Sequence, residues 1–210
     1  MKHNLDCPCG VKIPVEIEEE IDLDNNPDTI EKICDGSFMN FICYGCGKKH
    51  KPEFKITILW KSKNLKIIVL PELERGEFYR DKNESNSIFK KHTHETIIGY
   101  PEMSDRIAVI KDNLEPVAIE TLKYFLLAKA EENYPDNNIN VWYFSKDSSC
   151  IEFHLDGIKA NEVAVMKIPL DVYEKTCEDY RKHPKKDIFK HLRYGSCLSV
   201  QNIYRPDTVK

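Results

Sequence analysis

The residues of this chain with the clearest chemical signature are four cysteines near the N-terminus, which form two close pairs. The first pair lies in Cys7-Pro8-Cys9-Gly10 and the second in Cys43-Tyr44-Gly45-Cys46-Gly47. Zinc prefers four soft or borderline ligands in a tetrahedron, and thiolates on tight turns provide them. The glycines permit such turns, and the two-residue spacer of the second pair lets both sulfurs reach one ion. The sequence therefore predicts one structural zinc ion bound by Cys7, Cys9, Cys43 and Cys46.

The spacing of the pairs leaves alternatives open. The first pair has only one intervening residue, so its geometry must be tighter than that of the second. If it cannot supply both ligands, His3, His50 or Cys34 could complete the tetrahedron. Residues 10–42 separate the pairs, more than the roughly 15 to 20 residues of a compact zinc ribbon, and a helix inserted around Ile30 accounts for the excess. Ordinary buried thiols and a thiol redox pair are the competing interpretations, and the redox pair requires a thioredoxin-like βαβ context that the sequence does not indicate.

The composition is that of an ordinary globular protein. The chain has 210 residues, of which 41% are hydrophobic and 31% charged, and its formal net charge is -4. That charge argues against a protein-wide electrostatic surface for nucleic acid, and the apolar runs are too short to span a membrane. The segment Met1–Gly10 is polar and lacks the apolar run of a secretory signal. We therefore expect a cytoplasmic protein whose cysteines are thiols or metal ligands.

The N-terminal elements are those that would position the cysteines. Val11–Ile21 alternates apolar and polar residues and predicts a strand. A short helix follows, with Asn26 as its cap, Pro27 at its first position and Gly36 after its end. The two runs Phe54–Trp60 and Leu65–Leu70, joined by a polar turn at 61–64, predict a hairpin.

The later part of the chain predicts two main helices and three strands. The helices are Pro116–Asn133, which has an apolar stripe at helical spacing, and Asp171–Lys182. The strands are Ile139–Phe144, Cys150–Leu155 and Glu162–Ile168. Between the hairpin and the first of these helices the pattern is weak and highly charged, which is typical of a long connection.

The predicted fold class is α+β with mainly antiparallel strands. We expect a zinc-ribbon-like β domain over residues 1–75, in which the short helix is inserted, then a connection or flap over 76–105. Residues 106–210 form an antiparallel α+β region packed on the first domain. A length of 210 residues suits one large domain or two small ones that pack closely.

Several local sequences resemble the CpXC family of bacteria and archaea. They are the Cys-Pro turn at Cys7, the Cys-x-x-Cys-Gly of 43–47, the Asn-Pro-Asp helix that ends in Cys34-Asp35-Gly36-Ser37, and Phe41 ahead of Cys43. The resemblance covers most of the chain and implies a metal site with four ligands, which fall here on Cys7, Cys9, Cys43 and Cys46. The chain departs from the family pattern twice, because its first motif is one residue shorter and Tyr44 replaces a proline. The family is functionally uncharacterised, so the resemblance implies no reaction.

Two classes of function remain. No nucleophile, acid and base set and no glycine-rich phosphate loop stands out, so we predict no catalytic residue and no organic cofactor. A non-catalytic zinc protein that acts as a protein-interaction, scaffold or regulatory module is the first hypothesis, with a protein partner and no membrane. A nucleic-acid-binding regulator is the alternative, with basic residues near the second cysteine pair (Lys48, Lys49, Lys51) and at 181–193. A thiol redox protein is the second alternative.

Overall fold

The structure, a computed structural model, describes residues 2–81 and 93–204. Contacts divide these residues into two compact units. The first consists of residues 2–80 and 93–104, and the second of residues 81 and 105–204. Helices and strands occur in both units, so the predicted α+β fold class is confirmed.

The first unit begins with a hairpin of two five-residue strands, β1 (Lys2–Asp6) and β2 (Lys12–Glu16), paired antiparallel. In β2 the apolar side chains of Ile13 and Val15 are buried and the residues between them are exposed, as the alternating pattern predicts. The run predicted as one strand over Val11–Ile21 is in fact interrupted. It forms β2 and then a separate short strand, β3 (Glu20–Asp22).

The inserted helix is present as α1 (Pro27–Cys34). Pro27 stands at its start, and Gly36 follows its end with a φ of 72°, a left-handed conformation that glycine adopts without strain. Asn26 precedes the helix, but its side chain makes no capping hydrogen bond. Its Nδ2 instead donates to the carbonyl oxygen of Asp22 at 3.1 Å, so Asn26 holds the predicted N-cap position without capping the helix through its side chain.

Further strands of the first unit are β4 (Phe41–Ile42), β5 (Lys49–His50), β6 (Ile56–Trp60), β7 (Leu65–Leu70) and β8 (Glu95–Ile98). Strands β4 and β5 form a small antiparallel pair, whereas β3, β6, β7 and β8 lie side by side in that order. β6 and β7 are the predicted hairpin, joined by a 3-10 turn over Lys61–Lys63 and by Asn64 with a φ of 52°. The β3–β6 and β7–β8 pairs are parallel, which the sequence did not indicate.

Two helices of the first unit's later part lie where the sequence pattern is weak. They are α2 (Arg75–Arg80) and α3 (Tyr100–Lys111), and the second of these continues into the second unit. Of the residues 76–105 that we predict as a connection or flap, 82–92 lie outside the described residues. Most of the others belong to α2, strand β8 and the beginning of α3.

The elements of the second unit are α4 (Pro116–Asn133), β9 (Asn140–Lys146), β10 (Cys150–Asp156), β11 (Ala164–Pro169), α5 (Leu170–Lys182), α6 (Asp187–His191), β12 (Arg193–Tyr194) and β13 (Cys197–Leu198). Strands β9, β10 and β11 form an antiparallel sheet in the order β11-β10-β9, and α4 packs against α5 and β9. The two predicted main helices and three predicted strands are confirmed. Within the described part of the chain, no helix has both the length and the apolar character to cross a membrane.

The core of the second unit contains four charged side chains in one network. Lys123 of α4 forms ion pairs with Asp105 and with Glu120, the latter at 2.9 Å, and Arg106 pairs with Glu120 at 3.2 Å. Each side chain is only 4% exposed. Asp105 also accepts a hydrogen bond of 2.6 Å from the backbone N–H of Tyr143. Burial raises the pKa of Asp105, an effect that the charge of Lys123 partly opposes.

Candidate metal centre

The first cysteine pair occupies the turn between β1 and β2. The backbone N–H of Cys7 donates to the carbonyl oxygen of Val11 at 2.9 Å, which closes the hairpin. The N–H of Gly10 donates to the carbonyl oxygen of Cys7 at 2.8 Å. Gly10 has a φ of 87°, which explains the glycine directly after Cys9. Both sulfurs of the pair therefore project from one tight turn.

The second pair occupies the turn between β4 and β5, which repeats this design with one more residue. The N–H of Cys43 donates to the carbonyl oxygen of Lys48 at 2.9 Å, and the N–H of Gly47 donates to the carbonyl oxygen of Cys43 at 2.8 Å. Gly47 has a φ of 73°, like its counterpart in the first turn. The one-residue spacer of the first pair is thus matched by a backbone turn that is itself one residue shorter, so the same two hydrogen bonds form.

The two turns face each other and bring all four cysteines together. The sulfurs of Cys7, Cys9, Cys43 and Cys46 all lie within 4.8 Å of one another. The sulfur of Cys7 is 3.5 Å from that of Cys46, and the sulfur of Cys9 is 3.6 Å from that of Cys43. The closest contacts therefore join one turn to the other. Four thiol sulfurs in this arrangement form a candidate metal site.

The environment of the sulfurs differs between the first and second member of each pair. Cys7 and Cys43 are buried, whereas Cys9 and Cys46 are exposed. Burial raises the pKa of Cys43, but hydrogen bonds from the backbone N–H groups of Gly45 and Cys46 and from the neighbouring thiols outweigh it and lower the pKa to about 7. For Cys7 the backbone N–H of Cys9 lowers the pKa, but burial and the other thiols outweigh that effect and raise it to about 12. The lowered pKa favours the thiolate form of Cys43, the form in which a cysteine binds a metal ion.

The alternative ligands predicted from the sequence lie in different places. The Nε2 atom of His50, on β5, is 3.3 Å from the sulfur of Cys7. The ring of His3 packs against that of Phe54, with centroids 4.9 Å apart. Cys34 is the last residue of α1 and is half-buried. His50 therefore contacts one of the four clustered sulfurs.

Two contacts between the turns could not be recognised from the sequence. The hydroxyl of Tyr44, the residue between Cys43 and Gly45, donates to the carbonyl oxygen of Lys12 at 3.3 Å. Gly45 lies so close to the first hairpin that a Cβ atom there would be 2.7 Å from the Cγ2 of Val11. These contacts also join the second turn to the first hairpin. In the sequence, only the glycine between the cysteines of the second pair, Gly45, indicates such a close approach.

The other cysteines stay apart from this cluster. Cys177 and Cys197 are buried in the second unit, and the thiol of Cys150 donates to Asp147 Oδ2 at 3.3 Å. The two buried thiols are small core residues, whereas Cys150 is half-buried.

Comparisons with known proteins agree with the cysteine motifs. The sequence model of CpXC protein matches residues 5–123, a stretch that contains all four clustered cysteines. An uncharacterized protein of Treponema pallidum (strain Nichols) is 29% identical over 215 positions, which cover 95% of this chain and 97% of that protein. No solved structure matches the chain.

Proposed function

The chain belongs to the CpXC family, and we propose that it is a non-catalytic zinc-binding protein that acts as a protein-interaction, scaffold or regulatory module. One structural zinc ion is held by Cys7, Cys9, Cys43 and Cys46. The observation that supports this proposal is the approach of these four sulfurs to within 4.8 Å of one another at two matching turns.

Zinc fits this donor set in chemistry and in size. Bonds of about 2.3 Å to four tetrahedral sulfurs place the sulfurs about 3.8 Å apart. The cluster has sulfur pairs at 3.5 and 3.6 Å, and all pairs lie within 4.8 Å. Four thiolates occupy every position of a tetrahedral zinc ion and leave none for a substrate, which is typical of a structural site. The ion would fix the orientation of two hairpins rather than take part in a reaction.

The hairpin tips offer a surface for a protein partner. Ile42 and Tyr44, on either side of Cys43, are 62% and 76% exposed. Large apolar and aromatic side chains in exposed positions are common at the centres of protein interfaces. Zinc would hold Tyr44 in a fixed position, which lowers the entropic cost of binding.

Metal analysis tests the zinc site. Protein purified without added zinc should contain about one ion per chain by elemental analysis, and the double variant Cys43→Ser, Cys46→Ser should contain none. Cys150→Ser is the matched control, because it removes a cysteine outside the cluster. Stoichiometric zinc in the double variant would refute the ligand set.

Photo-crosslinking tests the interaction surface. A photoreactive phenylalanine at Tyr44 should capture a defined protein in cells that naturally contain this protein. The same group at Leu73 is the control, because Leu73 is 97% exposed but lies in a 3-10 turn, outside both cysteine turns. Equal crosslinking at both positions, or none at Tyr44, would contradict an interface at the tips.

A nucleic-acid partner is the second candidate, and it is favoured only near the hairpins. Lys12, Lys48 and Lys49 are exposed, and among the described residues no carboxylate lies within ion-pair distance of them. The basic segment at 181–193 differs, because Lys186 pairs with Asp179 at 2.5 Å and neighbouring lysines have similar acidic partners. Local neutralisation of this kind weakens attraction to phosphates.

A gel-shift experiment separates the two candidates. A nucleic-acid protein should shift single-stranded RNA or DNA at low salt and lose the complex steeply as salt rises. Replacing Lys12, Lys48 and Lys49 with glutamine should abolish the shift, whereas glutamine at Lys182, Lys186 and Lys190 should not. No shift by the native protein at low salt would eliminate this candidate.

A further inference from the structure

A cavity of about 290 Å³ lies within the first unit. It is bounded by the end of α1, the chain after β5 and the first turn of α3. Its apolar wall is formed by Ile33, Phe38 and Met103, and the ring of Tyr100 lies 5.8 Å from that of Phe38. An apolar hollow with a few converging polar groups is the usual form of a small-molecule site.

Most polar side chains around the cavity are already bonded within the protein. The hydroxyl of Ser104 donates to the carbonyl oxygen of Ile33 at 2.5 Å. The hydroxyl of Tyr100 donates to the carbonyl oxygen of Phe54 at 3.2 Å and accepts from its N–H at 3.1 Å. Glu53 accepts hydrogen bonds from the backbone N–H groups of Tyr100 and Glu72, at 2.7 and 2.6 Å. The negative charge of Glu53 is thus stabilised at the start of α3.

Lys51, which is exposed at the edge of the cavity, also makes one such bond but keeps further donors. Its Nζ donates to the carbonyl oxygen of Gly36 at 2.9 Å. An ammonium group has three donors, so Lys51 keeps donor capacity at the edge of the cavity. A positive group beside an apolar wall recognises an anion that carries an apolar group.

We propose that this cavity binds a small free monocarboxylate with a short apolar or aromatic tail. The carboxylate accepts hydrogen bonds from Lys51, and the tail packs between Phe38, Ile33 and Met103. The volume lies just below the roughly 300 to 1,000 Å³ of typical ligand sites, so the cavity is too small for large cofactors. At about 30 Å³ per water molecule it equals the space of about ten waters, enough for a ligand of similar heavy-atom count.

The cavity and the proposed zinc site share no residues, but they are adjacent along the chain. Lys51 directly follows His50, whose Nε2 lies 3.3 Å from the sulfur of Cys7. The binding experiment is therefore performed on protein whose zinc content has been measured, so that failure of the cavity and failure of the metal site give different results.

Three compounds with one skeleton test the proposal on the full chain: 3-phenylpropanoate, 3-phenylpropanamide and 3-phenylpropylamine. Titration followed by ¹H–¹⁵N NMR should shift the amides of Gly36, Phe38 and Ser104, with the acid binding at least tenfold more tightly than the amine. Lys51→Met should weaken binding of the acid about tenfold, as expected for loss of one charged hydrogen bond. Lys51→Arg should retain binding, and Lys66→Met, which removes an exposed lysine of β7, should leave it unchanged.

Two results would overturn the proposal. One is the absence of shifts at these amides with acid up to about 10 mM, where even a ligand of millimolar affinity is largely bound. The other is binding that does not depend on the contact between the carboxylate and Lys51, whether shown by equal binding of acid and amine or by equal binding to the native protein and Lys51→Met.

Discussion

Replacing His50 with alanine should weaken zinc binding without changing its stoichiometry. The Nε2 atom of His50 lies within hydrogen-bond distance of the sulfur of Cys7, at 3.3 Å, while the four sulfurs form a complete donor set without it. A protonated Nε2 can therefore donate to the Cys7 thiolate and orient it, as groups that contact metal ligands commonly do. The sequence alone left open whether His50 is itself a ligand, and this variant decides between the two roles.

The size of the effect follows from that geometry. Removing a group that supports a metal ligand typically reduces metal affinity 10- to 100-fold, or about 1.4 to 2.7 kcal/mol. His50 touches one sulfur of four, so we expect the lower part of this range. Cys9→Ser removes a ligand atom and should have a much larger effect. His183→Ala, at the end of α5 in the second unit, should have none.

Competition with a chromophoric chelator measures the affinity, and elemental analysis measures the stoichiometry. X-ray absorption at the zinc edge should show four sulfurs at about 2.3 Å and no nitrogen, both in the native protein and in His50→Ala. A signal of three sulfurs and one nitrogen that is lost together with zinc in His50→Ala would refute the proposed ligand set.

Three other perturbations give equally specific outcomes. Lys123→Met should lower the free energy of unfolding in urea by about 3 to 5 kcal/mol, because it removes the cation of a buried carboxylate pair. Burial raises the folded-state pKa of Asp105, so the loss of unfolding free energy should become smaller as the pH falls through that pKa and the carboxyl becomes neutral. A loss that does not change with pH would contradict this account. Gly157→Ala should lower the free energy of unfolding by more than about 2 kcal/mol, because Gly157 has a φ of +86° and a Cβ there would be 1.9 Å from the carbonyl oxygen of Asn138. Gly76→Ala is the control: the space around its Cβ is open, so it should stabilise the protein slightly. Equal effects of the two variants in thermal unfolding would contradict this reasoning. Removing zinc with a chelator should make four more thiols reactive toward Ellman's reagent, and an unchanged thiol count would mean that no metal protects them.

The sequence was sufficient where local chemistry decides the structure. The polar turn at 61–64 between two apolar runs predicts the β6–β7 hairpin, and Pro27 and Gly36 mark the ends of α1. Each of these signals depends on a few neighbouring residues. The four cysteines were also recognisable, because two close pairs followed by glycine have few other uses.

The elements that the sequence did not reveal are those stabilised by distant contacts. Helix α3 carries Asp105 and Arg106 at buried positions, where they pair with residues of α4, so its apolar stripe is broken by charges. Strand β8 is only four residues long and depends on parallel pairing with β7. Strand β1 contains a single aliphatic residue, Leu5, and depends on its pairing with β2. No local pattern reports such partners.

The cysteine turns show the same limit within the site. The spacing alone predicts a tighter geometry for Cys7 and Cys9 than for Cys43 and Cys46. In the structure, the first pair lies in a shorter turn that keeps both backbone hydrogen bonds. This turn depends on the pairing between β1 and β2. The contact of Tyr44 with Lys12 likewise joins segments that are remote in the sequence.

Loss of the proposed zinc ion would lower the solubility of the protein, because the ion helps to hold the short strand β3 in place. β3 lies in the segment between Cys9 and Cys43, which are 34 positions apart, and it pairs with β6 through only three residues. A cross-link that closes a loop of this length restricts the unfolded segment by about 4 kcal/mol in the chain-entropy model. Loss of the ion would therefore favour detachment of β3. The backbone edge of β6 would then be exposed, and this strand contains Ile56, Ile58 and Trp60. An exposed apolar strand edge pairs readily with other chains. Zinc depletion would therefore promote aggregation of this protein.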